Sequence, residues 1–333
     1  MQSVGIIGGG AWGTALGLVA LRAGREPLLW AREAEVVAGI NHRHENALFL
    51  PGVALDPRLR ATGDVAEAAQ RDFLLLATPA QHLRAIAEAI APHLKPGTPV
   101  VICAKGIEER SGALLSEVVA AALPQAAVAV LSGPTFAAEV ATGQPTAITL
   151  AASDVALGQR LVRALGSRAF RPYHTDDIAG AQIGGAIKNV IAIACGIVVG
   201  RRLGDNARAA LITRGLAEMA RLALAKGGRS ETLMGLSGLG DLTLTCTSLQ
   251  SRNCSLGAAL GEGKSLAEIL AARRSVAEGV TSAAAAADLA RRLGIEMPIV
   301  AAVDAILHRG AAIDAAIEAL LARPFRSETR ATP

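Results

Sequence analysis

Residues 183–200 constrain the fold more than any other stretch, because their side chains are apolar on almost every side of a helix. A helix without a polar face has to be enclosed by the rest of the protein. The run is long enough to raise the question of a membrane span, but Lys188 in its middle and the flanking glycines argue against one. The sequence therefore predicts a helix buried inside a folded domain, with no membrane insertion.

Lys188 is the one charged residue of this run. Burying an ammonium group is costly unless it is paired. Of the 33 basic residues only five are lysines, so position 188 favours an amine in particular. Desolvation lowers the pKa of a lysine toward neutrality, which suits a group that gives and takes a proton. The alternative is a structural lysine that reaches solvent from a helix end or pairs with a carboxylate.

A glycine-rich turn stands at the start of the chain. The apolar strand 4–7 leads into Gly8-x-Gly10-x-x-Gly13 and then into a helix with apolar spacing. Gly8 allows the tight turn, Gly10 lets the backbone approach a diphosphate, and Gly13 lets the helix pack on the strand. The helix N-terminus adds free N–H groups and a positive dipole. This order of elements predicts a dinucleotide-binding site rather than a structural turn.

The second strand, 27–30, is followed by Arg32 and Glu33. An acidic residue at the end of this strand binds the ribose hydroxyls of NAD, whereas an arginine accommodates the 2′-phosphate of NADP. Arg32 therefore predicts that NADP is tolerated. Glu33 could still bind the ribose of NAD, and Arg32 could equally be a solvated surface residue, so the preference between the cofactors stays open.

Strand-like and helical segments alternate as far as residue 175. Further strands are predicted at 73–77, 99–103, 128–131, 146–150 and 169–173. Pro134 is predicted to lie in the first turn of a helix. The alternation predicts an α/β fold, with a doubly wound parallel sheet of the Rossmann type in a dinucleotide-binding domain over residues 1–178.

Residues 179–333 lose the strand pattern and predict an all-helical substrate and catalytic domain. Helices are predicted at 183–200, 208–226, 265–272, 280–293 and 298–321, with a loop at 237–247. The segment Ser251-Arg252-Asn253 is predicted at a helix start, where hydroxyl, guanidinium and amide groups can bind phosphate. A simple helix cap with an exposed arginine is the alternative. Lys105 follows a strand at the edge where ligands gather, and can meet an anionic substrate.

Composition excludes several classes of function. Aromatic residues make up only 2% of the chain, and its net charge of +4 is scattered, which disfavours nucleic-acid binding and favours a small anionic ligand. The four cysteines form no metal-binding pattern and predict reduced, buried thiols in a cytoplasmic protein. They are Cys103, Cys195, Cys246 and Cys254. The apolar second domain makes a homodimer plausible.

Taken together, these motifs resemble the bacterial-type NAD(P)-dependent glycerol-3-phosphate dehydrogenases. The matching segments are 8–15, 46–51, 104–106, 132–136, 185–192, 206–215, 238–242 and 250–253. The resemblance implies a fold like that of 6-phosphogluconate dehydrogenase and reversible reduction of dihydroxyacetone phosphate to sn-glycerol 3-phosphate, the precursor of glycerophospholipids. It implies NAD(H) or NADP(H) as cofactor and no metal.

The resemblance also assigns residues. Lys188 matches the general acid/base. The substrate positions are matched by Lys105, Gly133, Thr135, Lys188, Asp241, Ser251, Arg252 and Asn253. The cofactor positions are matched by Trp12, Arg32, Lys105, Ala137, Arg252, Val276 and Glu278, in addition to Gly8, Gly10 and Gly13. Three residues depart from the family pattern without touching these positions: Phe49, Cys254 and Val280.

Two other functions fit parts of the pattern. β-Hydroxyacid and ketopantoate-type reductases also join a Rossmann domain to a helical domain with a lysine, but their substrates carry carboxylates. Lys105 and the segment 251–253 favour phosphate instead. A nucleotide-sensing protein would bind the cofactor without turnover and would need no proton donor such as Lys188.

Overall fold

The structure is a computed structural model that describes residues 1–272 and 277–325. Within these ranges eight β-strands form one sheet, and sixteen α-helices accompany them. The strands are β1 Ser3–Ile7, β2 Glu26–Trp30, β3 Arg60–Thr62, β4 Phe73–Leu76, β5 Pro99–Ile102, β6 Ala127–Ser132, β7 Thr146–Ala151 and β8 Phe170–Thr175. The helices are α1 Ala11–Arg22, α2 Ala34–Ala38, α3 Val65–Ala69, α4 Leu83–Ile90, α5 Leu115–Ala122, α6 Ala137–Ala141, α7 Val155–Leu165, α8 Ile178–Gly200, α9 Asp205–Ala225, α10 Ser230–Leu233, α11 Asp241–Thr247, α12 Arg252–Gly261, α13 Leu266–Ala271, α14 Glu278–Arg292, α15 Pro298–His308 and α16 Ile313–Leu321.

The strands lie in the order β3-β2-β1-β4-β5-β6-β7-β8, which confirms the Rossmann-type fold. One detail of the predicted parallel sheet is wrong, because β6 and β7 pair antiparallel whereas the other neighbours are parallel. Between these strands lies only α6, whose five residues span about 8 Å. This helix is too short to carry the chain back along a strand of about 20 Å. The chain therefore returns from the same edge of the sheet.

Three local predictions need correction. Pro134 precedes α6, which begins at Ala137, because the chain bends at Gly133 and Pro134 and is extended at Phe136, the residue before the helix. The segment 237–247 is a π-helical turn, Leu236–Gly240, followed by α11, because packing against α8 supports a helix that the glycines disfavour. The predicted helix 298–321 is two helices, separated at Gly310, whose φ of +69° is typical of a helix end.

Helix α8 is the centre of the helical half of the protein. Every residue from 180 to 198 is buried, as predicted, among α9, α11, α12, α14 and α15. Among the residues that the structure describes, α8 is the one helix long and apolar enough to cross a membrane, and most of it lies inside the protein. It begins directly after β8, where Asp177 accepts a hydrogen bond from the Gly180 N–H at 2.8 Å. The predicted division of the domains at 178/179 falls beside this junction and stays a prediction.

Candidate active site

The candidate site lies where the carboxyl ends of the central strands face α8. The order of the strands reverses between β1 and β4, and ligands of such sheets bind at this point. Gly8 follows β1, Lys105 follows β5, and Gly133 follows β6. The sheet therefore brings the glycine-rich turn and two predicted substrate residues to one edge.

The glycine-rich turn has the geometry of a diphosphate site. Gly8 has a φ of +130°, and a Cβ atom there would lie 2.8 Å from the carbonyl carbon of Ala77. A Cβ atom on Gly13 would overlap the carbonyl oxygen of Gly8, whereas one on Gly10 would meet nothing within 4 Å. Helix α1 starts directly after Gly10, so its first N–H groups face this open position. The turn therefore fits the dinucleotide that the sequence predicts.

The other predicted cofactor residues are spread around this turn. Trp12 lies in the first turn of α1, and its buried indole N–H has no hydrogen-bond partner among residues 1–272 and 277–325. Ala137 begins α6, which packs against α1. Val276 lies outside the described residues. The structure thus brings Trp12 and Ala137 to the same side of the sheet.

Arg32 and Glu33 follow β2 beside the turn. A Cβ atom on Gly9 would lie 2.5 Å from that of Ala31, so the end of β2 lies against the glycine-rich segment. Arg32 Nη2 is 2.9 Å from Glu33 Oε1, and the arginine side chain is 78% exposed. Arg32, which suits NADP, is therefore paired with Glu33, which suits NAD. The pairing is compatible with either cofactor.

Lys188 is buried and paired with two groups of α11. Its Nζ donates to Asp241 Oδ1 at 2.5 Å and to Thr245 Oγ1 at 2.8 Å. The Thr245 hydroxyl in turn donates to the Asp241 backbone carbonyl at 2.6 Å. Lys188 is 6% exposed, so it does not reach solvent from a helix end. Lys188 does pair with a carboxylate, as the other alternative predicts, and this pair with Asp241 lies within the candidate site.

Lys105 approaches the same carboxylate from the sheet. Its Nζ donates to Asp241 Oδ2 at 2.7 Å and to the Gly133 carbonyl oxygen at 2.9 Å. The Thr135 hydroxyl donates to the same Gly133 oxygen at 3.2 Å. Two ammonium groups thus share one carboxylate that is 1% exposed. The buried group Lys105–Asp241–Lys188 carries a net positive charge, which suits an anionic ligand.

Burial and charge shift the acidity of the groups around this centre. Burial is the main cause that lowers the pKa of Lys188 to about 8; Asp241 acts in the opposite direction, and the positive charge of Lys105 acts in the same direction as burial. Desolvation raises the pKa of Glu278, while Arg252 and the two lysines act in the opposite direction. Glu278 also accepts a hydrogen bond from the Ala80 N–H, just beyond β4. Glu278 and Arg252 therefore lie within electrostatic reach of the lysines.

The segment 251–253 starts α12, as predicted. The Ser251 hydroxyl caps the helix by accepting from the Cys254 N–H at 3.2 Å. Asn253 donates to Asn189 Oδ1 at 3.0 Å and accepts from the Gly279 N–H at 3.0 Å. Arg252 is exposed at the helix N-terminus. The helix cap that the alternative interpretation predicts is therefore present. The start of α12 also places Asn253 against Asn189, the residue that follows Lys188.

Sequence reasoning missed Thr245 and Asn189. Thr245 stands four residues after Asp241, a spacing that places two side chains on one face of a helix. Because 237–247 was predicted as a loop, this spacing carried no signal. Asn189 follows Lys188 directly, and nothing in the sequence pairs it with Asn253. Both contacts depend on how the helices pack.

Comparison with known proteins gives consistent results. Family models of NAD-dependent glycerol-3-phosphate dehydrogenase match residues 3–157 (N-terminus) and 177–318 (C-terminus). Glycerol-3-phosphate dehydrogenase (NAD(P)+) of Parvibaculum lavamentivorans is 61% identical, over 98% of each chain. The enzyme of Rhodospirillum rubrum is 60% identical, over 98% of this chain and 94% of its own. The crystal structure of glycerol-3-phosphate dehydrogenase from Coxiella burnetii superposes with a TM-score of 0.93 at 40% identity, over 97% of this chain and 99% of the other.

Proposed function

Because the chain belongs to the NAD-dependent glycerol-3-phosphate dehydrogenase family, an enzyme family that reduces dihydroxyacetone phosphate with NAD(P)H, we propose that Lys188 supplies the proton of this reaction. The chain is an oxidoreductase with a small phosphorylated substrate. The observation that carries the proposal is the buried ammonium of Lys188, whose pKa is lowered to about 8. A group with this pKa is protonated at neutral pH and yields its proton at small cost.

The hydrogen bonds of Lys188 leave it able to act on a substrate. An ammonium has three N–H donors, and two are used by Asp241 and Thr245. The third donates to the carbonyl oxygen of the substrate and transfers its proton there as the alcohol forms. Asp241 keeps its bond to Lys105 throughout, so the buried carboxylate is not left without a partner when Lys188 becomes neutral.

The substrate phosphate is bound between the sheet and α12. Arg252 offers a guanidinium that binds phosphate through two parallel bonds, and the N-terminus of α12 adds free N–H groups. Lys105, Gly133, Thr135, Ser251 and Asn253 complete the proposed substrate positions. Asn253 already uses its amide oxygen and one N–H within the protein, so one N–H is left for the substrate.

The cofactor is held by the turn and by residues around it. Bound NAD(P)H supplies the hydride. The open backbone at Gly10 and the start of α1 would hold its diphosphate, and Arg32 and Glu33 would bind at its adenosine ribose. Gly8 and Gly13 shape the turn, and Trp12, Ala137, Val276 and Glu278 are the remaining proposed cofactor residues.

The test compares substrates and one variant. We expect rapid oxidation of NADH or NADPH, followed by absorbance, with dihydroxyacetone phosphate and little with 2-keto acids. Lys188→Ala should lower turnover by about two to four orders of magnitude while cofactor binding stays nearly intact. Lys264→Ala is the control, because its side chain is 63% exposed. Folded protein that binds cofactor but oxidises none would refute the reaction; full activity of Lys188→Ala would refute the role of Lys188.

The cellular setting is a further part of the proposal. We propose that the product feeds glycerophospholipid synthesis, that the enzyme is cytoplasmic, and that it forms a homodimer through its apolar helical half. The buried and unpaired cysteines support a reducing compartment. Light scattering of the purified protein measures its mass directly, and a monomer at micromolar concentration would contradict the dimer.

A further inference from the structure

Gly185 lies in α8 three residues before Lys188, a spacing that places both on the same side of the helix. This side meets the end of β6 and the segment that follows β5. A Cβ atom on Gly185 would lie 2.6 Å from Ser132 Oγ and 3.2 Å from Lys105 Cγ. The stem of Lys105 therefore lies against α8 at a position that has no side chain.

A glycine inside a helix has a cost. It destabilises the helix by roughly 1 kcal/mol relative to alanine. In a helix as apolar as α8, alanine would also bury more surface. The conformation of Gly185 is helical, so no unusual φ angle requires glycine there. The space that Lys105 and Ser132 occupy is the remaining reason.

The approach of Lys105 has a direct consequence for the reacting group. Lys105 reaches Asp241 Oδ2 at 2.7 Å, and Lys188, one helical turn after Gly185, reaches Oδ1 at 2.5 Å. Both ammonium groups can hold one carboxylate only if the stem of Lys105 lies close to α8. The positive charge of Lys105 is also one cause of the low pKa of Lys188.

We propose that Gly185 is a positioning residue for the reaction, because its missing side chain lets Lys105 lie against α8 and share Asp241 with Lys188. The inference rests on the proposed roles of the two lysines. Gly185 has no side chain with which to take part in the reaction. It acts by fixing how near the two charges come to each other.

Ser132 provides a means of rescue. Its buried hydroxyl has no hydrogen-bond partner in the described part of the chain, so Ser132→Ala removes no bond. It is also the atom nearest to a Cβ on Gly185. Ser132→Ala should therefore have nearly wild-type activity and should relieve most of the overlap that Gly185→Ala creates.

The experiment measures turnover against pH for the wild type, Gly185→Ala, Ser132→Ala and the double variant. A 1 Å displacement at an active site costs up to about 100-fold in rate, and we expect a loss of about 10-fold or more for Gly185→Ala, with unchanged cofactor affinity. Its pH profile should shift to higher pH, because Lys105 moves away from Lys188. The double variant should recover most of the turnover but keep part of the shift in the pH profile, because a Cβ atom at position 185 still lies 3.2 Å from Lys105 Cγ.

Gly215→Ala is the matched control. A Cβ atom on Gly215 would lie 2.7 Å from Ile191 of α8, a similar overlap that involves neither lysine. It should change thermal stability but leave the pH profile in place.

Should Gly185→Ala fail to fold, the double variant is compared with Ser132→Ala, and its remaining contact with Lys105 should still shift the pH profile.

Two results overturn the inference. The first is an unchanged pH profile in Gly185→Ala or, where that variant does not fold, a double variant with the same pH profile as Ser132→Ala. The other is a loss of turnover in Gly185→Ala that adding Ser132→Ala does not relieve and that Gly215→Ala reproduces. A failure of the proposed function looks different. In that case the wild type does not reduce dihydroxyacetone phosphate, or Lys188→Ala remains active. An active wild type, an inactive Lys188→Ala and an unaffected Gly185→Ala would refute the role of Gly185 alone.

Discussion

Replacing Lys188 with methionine should separate the chemistry of this enzyme from its stability. Burial lowers the pKa of Lys188 from 10.5 to about 8, which corresponds to a cost of about 3 kcal/mol for keeping the amine protonated at pH 7. Methionine has no such cost, and Asp241 keeps Lys105 as its partner. This cost already includes the attraction of Asp241, so the additional loss is the bond to Thr245, about 1 kcal/mol. Lys188→Met should therefore unfold at pH 7 with a free energy about 2 kcal/mol above that of the wild type, while turnover falls by about two to four orders of magnitude.

The dependence of stability on pH gives a second, independent test. Between pH 8 and 10.5 the unfolded chain keeps the proton on Lys188 and the folded chain releases it. The contribution of this group to stability therefore rises with pH across that window, and below it the whole penalty is present. When the free energy of unfolding is measured with urea at about pH 7, 9 and 10, Lys188→Met should lack this rise. Lys264→Met, an exposed control, should differ from the wild type by less than about 0.5 kcal/mol. A variant clearly less stable than the wild type at pH 7, or one with an undiminished rise, would refute the reasoning.

Three further predictions concern other charged groups. Asp241→Asn leaves two buried ammonium groups without a counterion, so thermal melting should show a loss of about 3–5 kcal/mol; a stable variant would contradict the pairing. Glu33→Gln frees Arg32, so fluorescence titration should show NADPH binding strengthened severalfold relative to NADH, and Arg32→Ala should do the opposite; equal ratios would count against both residues. Burial raises the pKa of Glu218 from 4.5 to about 7, so its contribution to stability is lost as pH rises through 7. In Glu218→Gln, urea unfolding at pH 5 and 8 should differ by about 3 kcal/mol less than in the wild type, and an unchanged difference would refute this.

Much of the fold could be predicted because its elements carry local patterns. The buried strands are short apolar runs, and β4 and β5 were predicted to within one residue of their observed ends. The strand β3, Arg60–Thr62, was missed because three residues with one buried side chain form no pattern. The direction of β7 was also missed, because strand periodicity is the same in parallel and antiparallel pairs.

The candidate site divides in the same way. The sequence by itself determined the glycine-rich turn and the presence of an amine inside an apolar helix, since both are written in consecutive residues. That Lys105 and Lys188 share one carboxylate was decided only by the tertiary structure. Asp241 lies 136 residues from Lys105 and 53 from Lys188, on a segment whose glycines predict a loop. It becomes a helix because α8 packs against it, and that packing, rather than any local spacing, brings the three charges together.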